Sequence, residues 1–214
     1  MGWISYRATH YTKTGQVDKK AECDARFEEG VAEGNCCILK SRMIGNTYYA
    51  AIKQLKAYKG EDENGKSIYE DLTIPEQEVY AVVILTSVDN NEYCNFAYKL
   101  IDETMGPFET KCPISILTLL TPTNNKYALE WRERCSKNAN KEKKLKALSV
   151  GTKIRISNRG RKGDKQTIVL QKMQPAYSFK TPWWKVMGEN AYCNYSDIPI
   201  DFEVLPDNKY EIHV

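Results

Sequence analysis

Short runs of alternating apolar and polar residues dominate this chain, and the places where a four-residue spacing replaces the alternation predict its helices. The run GWISYRA predicts a first strand. In DKKAECDARFEEGVAEG, Cys23, Phe27 and Val31 recur every four residues, which predicts a helix capped by Asp18 and ended by Gly34. CCILKSRMI and TYYAAIKQLKAY flank Gly45-Asn46, the signature of a tight hairpin. KGEDENGKSIYEDLTIPEQE reads as a long polar loop. VYAVVILTSV and YCNFAYKLI, joined at Asp89-Asn90-Asn91, complete at least four antiparallel strands between residues 36 and 101.

The pattern changes after that point. Pro113 can open a short helix, PISILTLL, that stops before Pro122. Thr123 can cap a longer one, NNKYALEWRERCSKNANKEKKLKAL, whose apolar positions Tyr127, Leu129, Trp131 and Cys135 all lie in its first half. The second half reads as exposed, either a frayed helix or a linker. Beyond Val150-Gly151, TKIRIS, QTIVLQKM, PWWKVM, AYCNYS and DFEVL succeed one another with turns between. That rhythm predicts a small SH3-like barrel or compact β-module. The expectation is an α+β protein: residues 1–147 as an antiparallel sheet with helices ending in a long helix, and residues 148–214 as the β-module.

Composition narrows the class. The chain has 214 residues, 42% hydrophobic and 28% charged, which is ordinary for a globular protein and unlike a disordered one. No apolar run approaches the roughly 18 residues that span a bilayer, and the N-terminus lacks the basic-then-apolar pattern of a signal peptide. Position 6 is Tyr6, which breaks the myristoylation pattern. The expected location is the cytoplasm. Seven cysteines without a C-x-x-C pair or a nearby histidine read as reduced, small hydrophobic residues rather than metal ligands. No metal or cofactor is expected.

Charge changes the picture more than its total of +3 suggests. Residues 132–172 hold 14 Lys and Arg against 3 Asp and Glu, whereas residues 1–131 hold 14 against 19 and residues 173–214 hold 3 against 6. A weakly acidic body therefore carries one basic belt. Its crest is SNRGRKGDKQ, a hairpin tip bearing Arg159, Arg161, Lys162 and Lys165, with Lys143, Lys144, Lys153 and Arg155 in the same belt. The tip lacks the spacing and the helix of a phosphate loop. Downstream, PAYSFKTPWWK supplies Tyr177, Phe179 and Trp184 beside Lys180. Cations and flat rings together suit a nucleic-acid surface. Against that, a solvated turn explains the cations, and one of the adjacent Trp183 and Trp184 must point into the module's core.

Chemistry-bearing residues are sparse. Asp102 and Glu103 are adjacent at a strand end, where turn chemistry is ordinary. His10 is the one histidine away from the C-terminus. These three are the weak catalytic candidates, and no spacing rule joins them.

The strings MGW, ATHY, VDKKAECD, YYAAIK, VVILTSVDNNEYCNFAYKLIDETMGP, CPISILTLLTPT, WRERC and AYSFKTPWW cover nearly the whole chain. They resemble a family carried by phages and conjugative elements of Gram-positive bacteria, often among antirestriction and other counter-defence genes. The family has no assigned activity, so no residue role carries over. The resemblance implies a mobile-element protein acting in the host cytoplasm on a defence effector such as a CRISPR or restriction complex, or on its nucleic acid. A net basic chain disfavours DNA mimicry. The expected function is therefore non-enzymatic, anti-CRISPR-like or antirestriction-like. The alternatives are a guide-RNA nuclease and an accessory protein that docks a partner protein.

Overall fold

The computed structural model describes residues 2–89, 93–159, 165–174, 183–194 and 198–206, with backbone alone at 158–159 and 165–166. It divides into two units, residues 1–136 and 137–214. The fold is α+β: antiparallel sheets with a few helices, ending in a compact β-module.

The first unit is built on the alternation of two strands. It opens with β1 (Ile4–Tyr6), α1 (Lys19–Asp24) and α2 (Glu28–Ala32), then β2 (Cys36–Ile44), β3 (Thr47–Gln54), β4 (Lys56–Glu61), β5 (Ser67–Asp71), β6 (Val79–Val88) and β7 (Phe96–Asp102). Five of these strands form a sheet in the order β1-β7-β6-β3-β2. Along β3, Tyr48, Ala50 and Ile52 face a core with Cys23 and Phe27 of the N-terminal helical segment. Tyr49 and Ala51 face the opposite way, into a second core with Ile116 and Trp131. Both faces are covered, which is why β3 and β6 read as near-continuous apolar runs.

Local chemistry sets the element ends. The Asp18 carboxylate accepts the amides of Lys20 and Ala21 at 3.1 Å each, capping α1 as expected. The single helix expected over 18–34 is instead α1 and α2 joined by a 3₁₀ turn, Ala25–Phe27, which sets the Arg26 guanidinium over the rings of Tyr6 and Tyr98. Gly45, at φ +60°, makes the β2–β3 turn, a conformation costly for a residue with a Cβ. The run expected as one strand over 47–58 is β3 and the start of β4, and the segment expected as a polar loop over 59–78 holds the end of β4 and all of β5, a hairpin that pairs with itself outside the main sheet.

Helices α3 (Ile114–Leu117) and α4 (Lys126–Ala147) follow. Asn125, rather than Thr123, caps α4, accepting the Ala128 amide at 3.0 Å. The second half of α4 is neither frayed nor a linker. It is helical to Ala147, because Lys141 and Leu145 turn inward and are buried. For the same reason the division between units falls inside α4, not after it.

The second unit continues with β8 (Lys153–Arg159), β9 (Lys165–Lys172), β10 (Trp184–Val186), β11 (Tyr192–Cys193) and β12 (Phe202–Val204). Their order is β11-β10-β9-β8-β12, a meander whose last strand returns beside the first. Leu145, Ile154, Ile156, Leu170, Trp184 and Ile198 form the core. No helix among the described residues is long and apolar enough to cross a membrane.

Candidate nucleic-acid interface

The cations of the basic belt fall into two sets, those turned inward to hold structure and those left to solvent. Lys172 belongs to the first. It is 4% exposed, and its ammonium donates to the carbonyls of Leu145, Lys146 and Leu148 at 3.0, 3.0 and 2.6 Å. Those carbonyls lie at the C-terminal end of α4, where no intrahelical amide remains to bond them. Burial lowers the Lys172 pKa, and three acceptors match its three N–H donors. Lys141 likewise donates to the Ile198 carbonyl at 2.8 Å.

At the N-terminal end of the belt, Arg132 donates through Nε and Nη2 to the two oxygens of Glu103, both at 2.6 Å, and through Nη1 to the Thr121 carbonyl. Arg134 donates to the Pro107 carbonyl at 2.9 Å. Arg155 pairs with Glu203 at 2.8 Å on a solvent-facing sheet surface, a contact of the kind worth about 0–1 kcal/mol.

Lys143, Lys144 and Lys153 form the second set. All three are exposed and none makes an ion pair among the described residues. Alternation along β8 produces this arrangement: Ile154 and Ile156 enter the core while Lys153, Arg155 and Ser157 face outward. The hairpin of β8 and β9 pairs through to Arg159 opposite Lys165. Arg161 and Lys162 at its tip lie outside the described residues, as do Tyr177, Phe179 and Lys180, and for Arg159 and Lys165 the backbone alone is described.

Trp184 must be removed from the contact surface. It is fully buried at the centre of the second unit's core, so neither face of its indole is open to a base. Of the adjacent pair, Trp184 is the one that points inward. Trp183 is partly exposed, its ring 6.1 Å from that of Tyr192 in an edge-on contact.

The three catalytic candidates are held by other groups. Glu103 is 2% exposed, and besides the Arg132 fork its Oε1 accepts the Ala81 amide at 3.1 Å. Asp102 accepts the Thr104 amide at 2.7 Å, a turn cap. The two adjacent carboxylates thus diverge. His10 meets neither: its Nδ1 lies 3.3 Å from Glu22 Oε1 and 3.1 Å from Thr9 Oγ1.

Glu22 is the residue that sequence reasoning missed. It is fully buried, and one oxygen accepts the amides of Thr9 and His10 at 2.5 Å each while the other accepts the Tyr6 hydroxyl at 2.6 Å. Burial opposes its ionisation, but the hydrogen bonds from Tyr6, His10 and Thr9 outweigh burial and hold its pKa below the ordinary carboxylate value. The same bond, with burial foremost, pushes the Tyr6 hydroxyl pKa up. This cluster fastens the segment after β1 to α1. No group of His, Cys, Asp and Glu able to hold a metal occurs among the described residues.

In comparison with known proteins, residues 122–172 match the model of a domain of unknown function (DUF6927). The matched stretch contains α4, β8 and β9, and with them the whole basic belt. No curated protein matches the chain, and no solved structure does.

Proposed function

We propose that this chain is a non-enzymatic counter-defence protein of a mobile element, anti-CRISPR-like or antirestriction-like. In this reading it acts in the host cytoplasm and engages the nucleic acid of a nucleoprotein effector through the basic face of its second unit. The observation that carries the reading is the set of exposed cations, Lys143, Lys144 and Lys153, that have no ion partner among the described residues. The sequence resemblance to phage and conjugative-element proteins supplies the context. Glu103 and Asp102 weigh against a nuclease, since their oxygens serve an arginine fork and a turn cap.

Phosphate contact has a thermodynamic signature. Each neutralised phosphate releases condensed counterions, so about five contacts on duplex DNA give a log–log slope of about −4 of affinity against salt. Titration of the full chain against duplex and single-stranded oligonucleotides over a salt series is expected to show such a slope. Affinity that stays flat with salt overturns the reading and favours docking to protein alone.

A further inference from the structure

We propose that the face of the β4–β5 hairpin carrying Tyr58 and Tyr69 docks a basic, extended segment of a partner protein, whose arginines sit on the two rings and on the carboxylates flanking them. This inference goes beyond the nucleic-acid reading. It concerns the first unit and uses none of the cations on which that reading rests. The hairpin pairs only with itself. A two-stranded hairpin is marginal in water unless another layer covers it, yet all of β5 and half of β4 are exposed. Tyr58 is 55% and Tyr69 41% exposed. They stand directly opposite each other, with ring centroids 5.7 Å apart in an edge-on contact.

The register places a carboxylate at each end of this ring pair. Asp71, two residues from Tyr69, shares its face and lies opposite Lys56. The Lys56 ammonium does not neutralise it, because it donates to the Glu33 carbonyl at 2.8 Å. At the other end, Gly60 at φ +122° carries a bulge that brings Glu61 opposite Ser67, and so onto the tyrosine face. Neither Glu61 nor Asp71 makes an ion pair or a side-chain hydrogen bond among the described residues. The remaining carboxylate of the two strands, Glu70, alternates to the opposite face and is paired with Lys59 at 2.9 Å. The unpaired negative charge of the strands therefore lies with the rings.

That arrangement selects its ligand. Asp71 and Ser67 are four residues apart on β5, so the two carboxylates are separated by about 13 Å along the strands. An extended segment covers that span with five residues, of which the first, third and fifth turn toward the hairpin. Arginine suits all three places: carboxylates take its planar fork, and the faces of tyrosine rings attract its charge. Exposed rings alone could stack bases, but the carboxylates on both sides repel a phosphate backbone.

The test titrates the full, isotope-labelled chain with a peptide of alternating Arg and Ser and follows the amide spectrum. We expect saturable shifts centred on Tyr58, Glu61, Tyr69 and Asp71. In variants whose spectrum is otherwise retained, Asp71→Asn and Glu61→Gln are each expected to weaken the peptide about threefold, and Tyr58→Leu with Tyr69→Leu about fivefold. Glu70→Gln changes the chain's charge as much as Asp71→Asn does, but on the other face, and is expected to leave the affinity unchanged. Absence of saturable shifts in the hairpin, or full affinity in the Asp71 and Glu61 variants, overturns the proposal. An equal loss in Glu70→Gln also overturns it, since net charge then accounts for binding. So does an oligonucleotide that moves the same hairpin amides, which assigns the rings to bases. Oligonucleotide binding through the second unit's cations moves none of these amides, so this proposal and the nucleic-acid reading fail separately.

Discussion

Glu22 shows how much one side chain can decide here. Its two oxygens collect a hydroxyl and two backbone amides from the segment around β1, a strand that pairs with β7 at only three positions. Replacing it by Gln keeps the shape but turns one acceptor into a donor facing the Tyr6 hydroxyl. We predict that Glu22→Gln lowers stability by about 1–3 kcal/mol, measured as a shift of the urea midpoint at neutral pH. The pH dependence has a definite sign. The folded pKa of Glu22 lies below its unfolded value. Its contribution is therefore complete above the unfolded carboxyl pKa of about 4.3 and is lost as pH falls through the folded value. The Gln variant should lack that share of the acid loss; an identical acid profile in both proteins contradicts the assignment. Nothing in the string KAECD announced this role, because two of the donors are backbone amides, which leave no trace in a sequence, and the third, the Tyr6 hydroxyl, lies on a separate element.

At the scale of elements, the strands were legible and the helices partly so, for a physical reason. β3 and β6 are buried on both faces, and Gly45-Asn46 marks the turn between β2 and β3, so pattern and punctuation agree. β5 and the end of β4 escaped notice because most of their residues are exposed, and a strand without a buried face has no alternation to read. The second half of α4 was misread for the opposite reason. One of its inward positions is a lysine, Lys141, which counts as polar in any periodicity although its ammonium caps a buried carbonyl. Leu145 then carries the apolar packing of that half. We predict that Leu145→Ala costs about 2–5 kcal/mol in the second unit, seen as faster amide exchange of Ile154, Ile156 and Leu170, whose side chains share its core. Unchanged exchange at those amides contradicts the packing. Lys172→Met tests the cap on the same helix: it removes the ammonium that bonds three carbonyls and should fray the last turn of α4 at a cost of about 1–3 kcal/mol.

At the scale of the molecule, net charge is a poor guide until the cations are sorted by what they touch. The belt of residues 132–172 holds 14 Lys and Arg, and Arg132, Arg134, Lys141 and Lys172 are bonded to protein carbonyls or a buried carboxylate. The sequence made the belt visible as a density of charge but could not separate these structural cations from Lys143, Lys144 and Lys153. It likewise left open which of two tryptophans was core, and the packing of Trp184 against Ile154 and Leu170 decides that. What remains exposed and without an ion pair among the described residues is smaller than the belt: Lys143 and Lys144 on α4 and Lys153 at the start of β8. The most direct measurement is the affinity of the full chain for single-stranded and duplex oligonucleotides at fixed low salt, before and after replacing Arg159, Arg161, Lys162 and Lys165 together by Ser. With the circular-dichroism melt unchanged, the account predicts affinity at least about tenfold lower and a shallower salt slope. Unchanged affinity in a folded variant contradicts it and makes the hairpin tip a solvated turn.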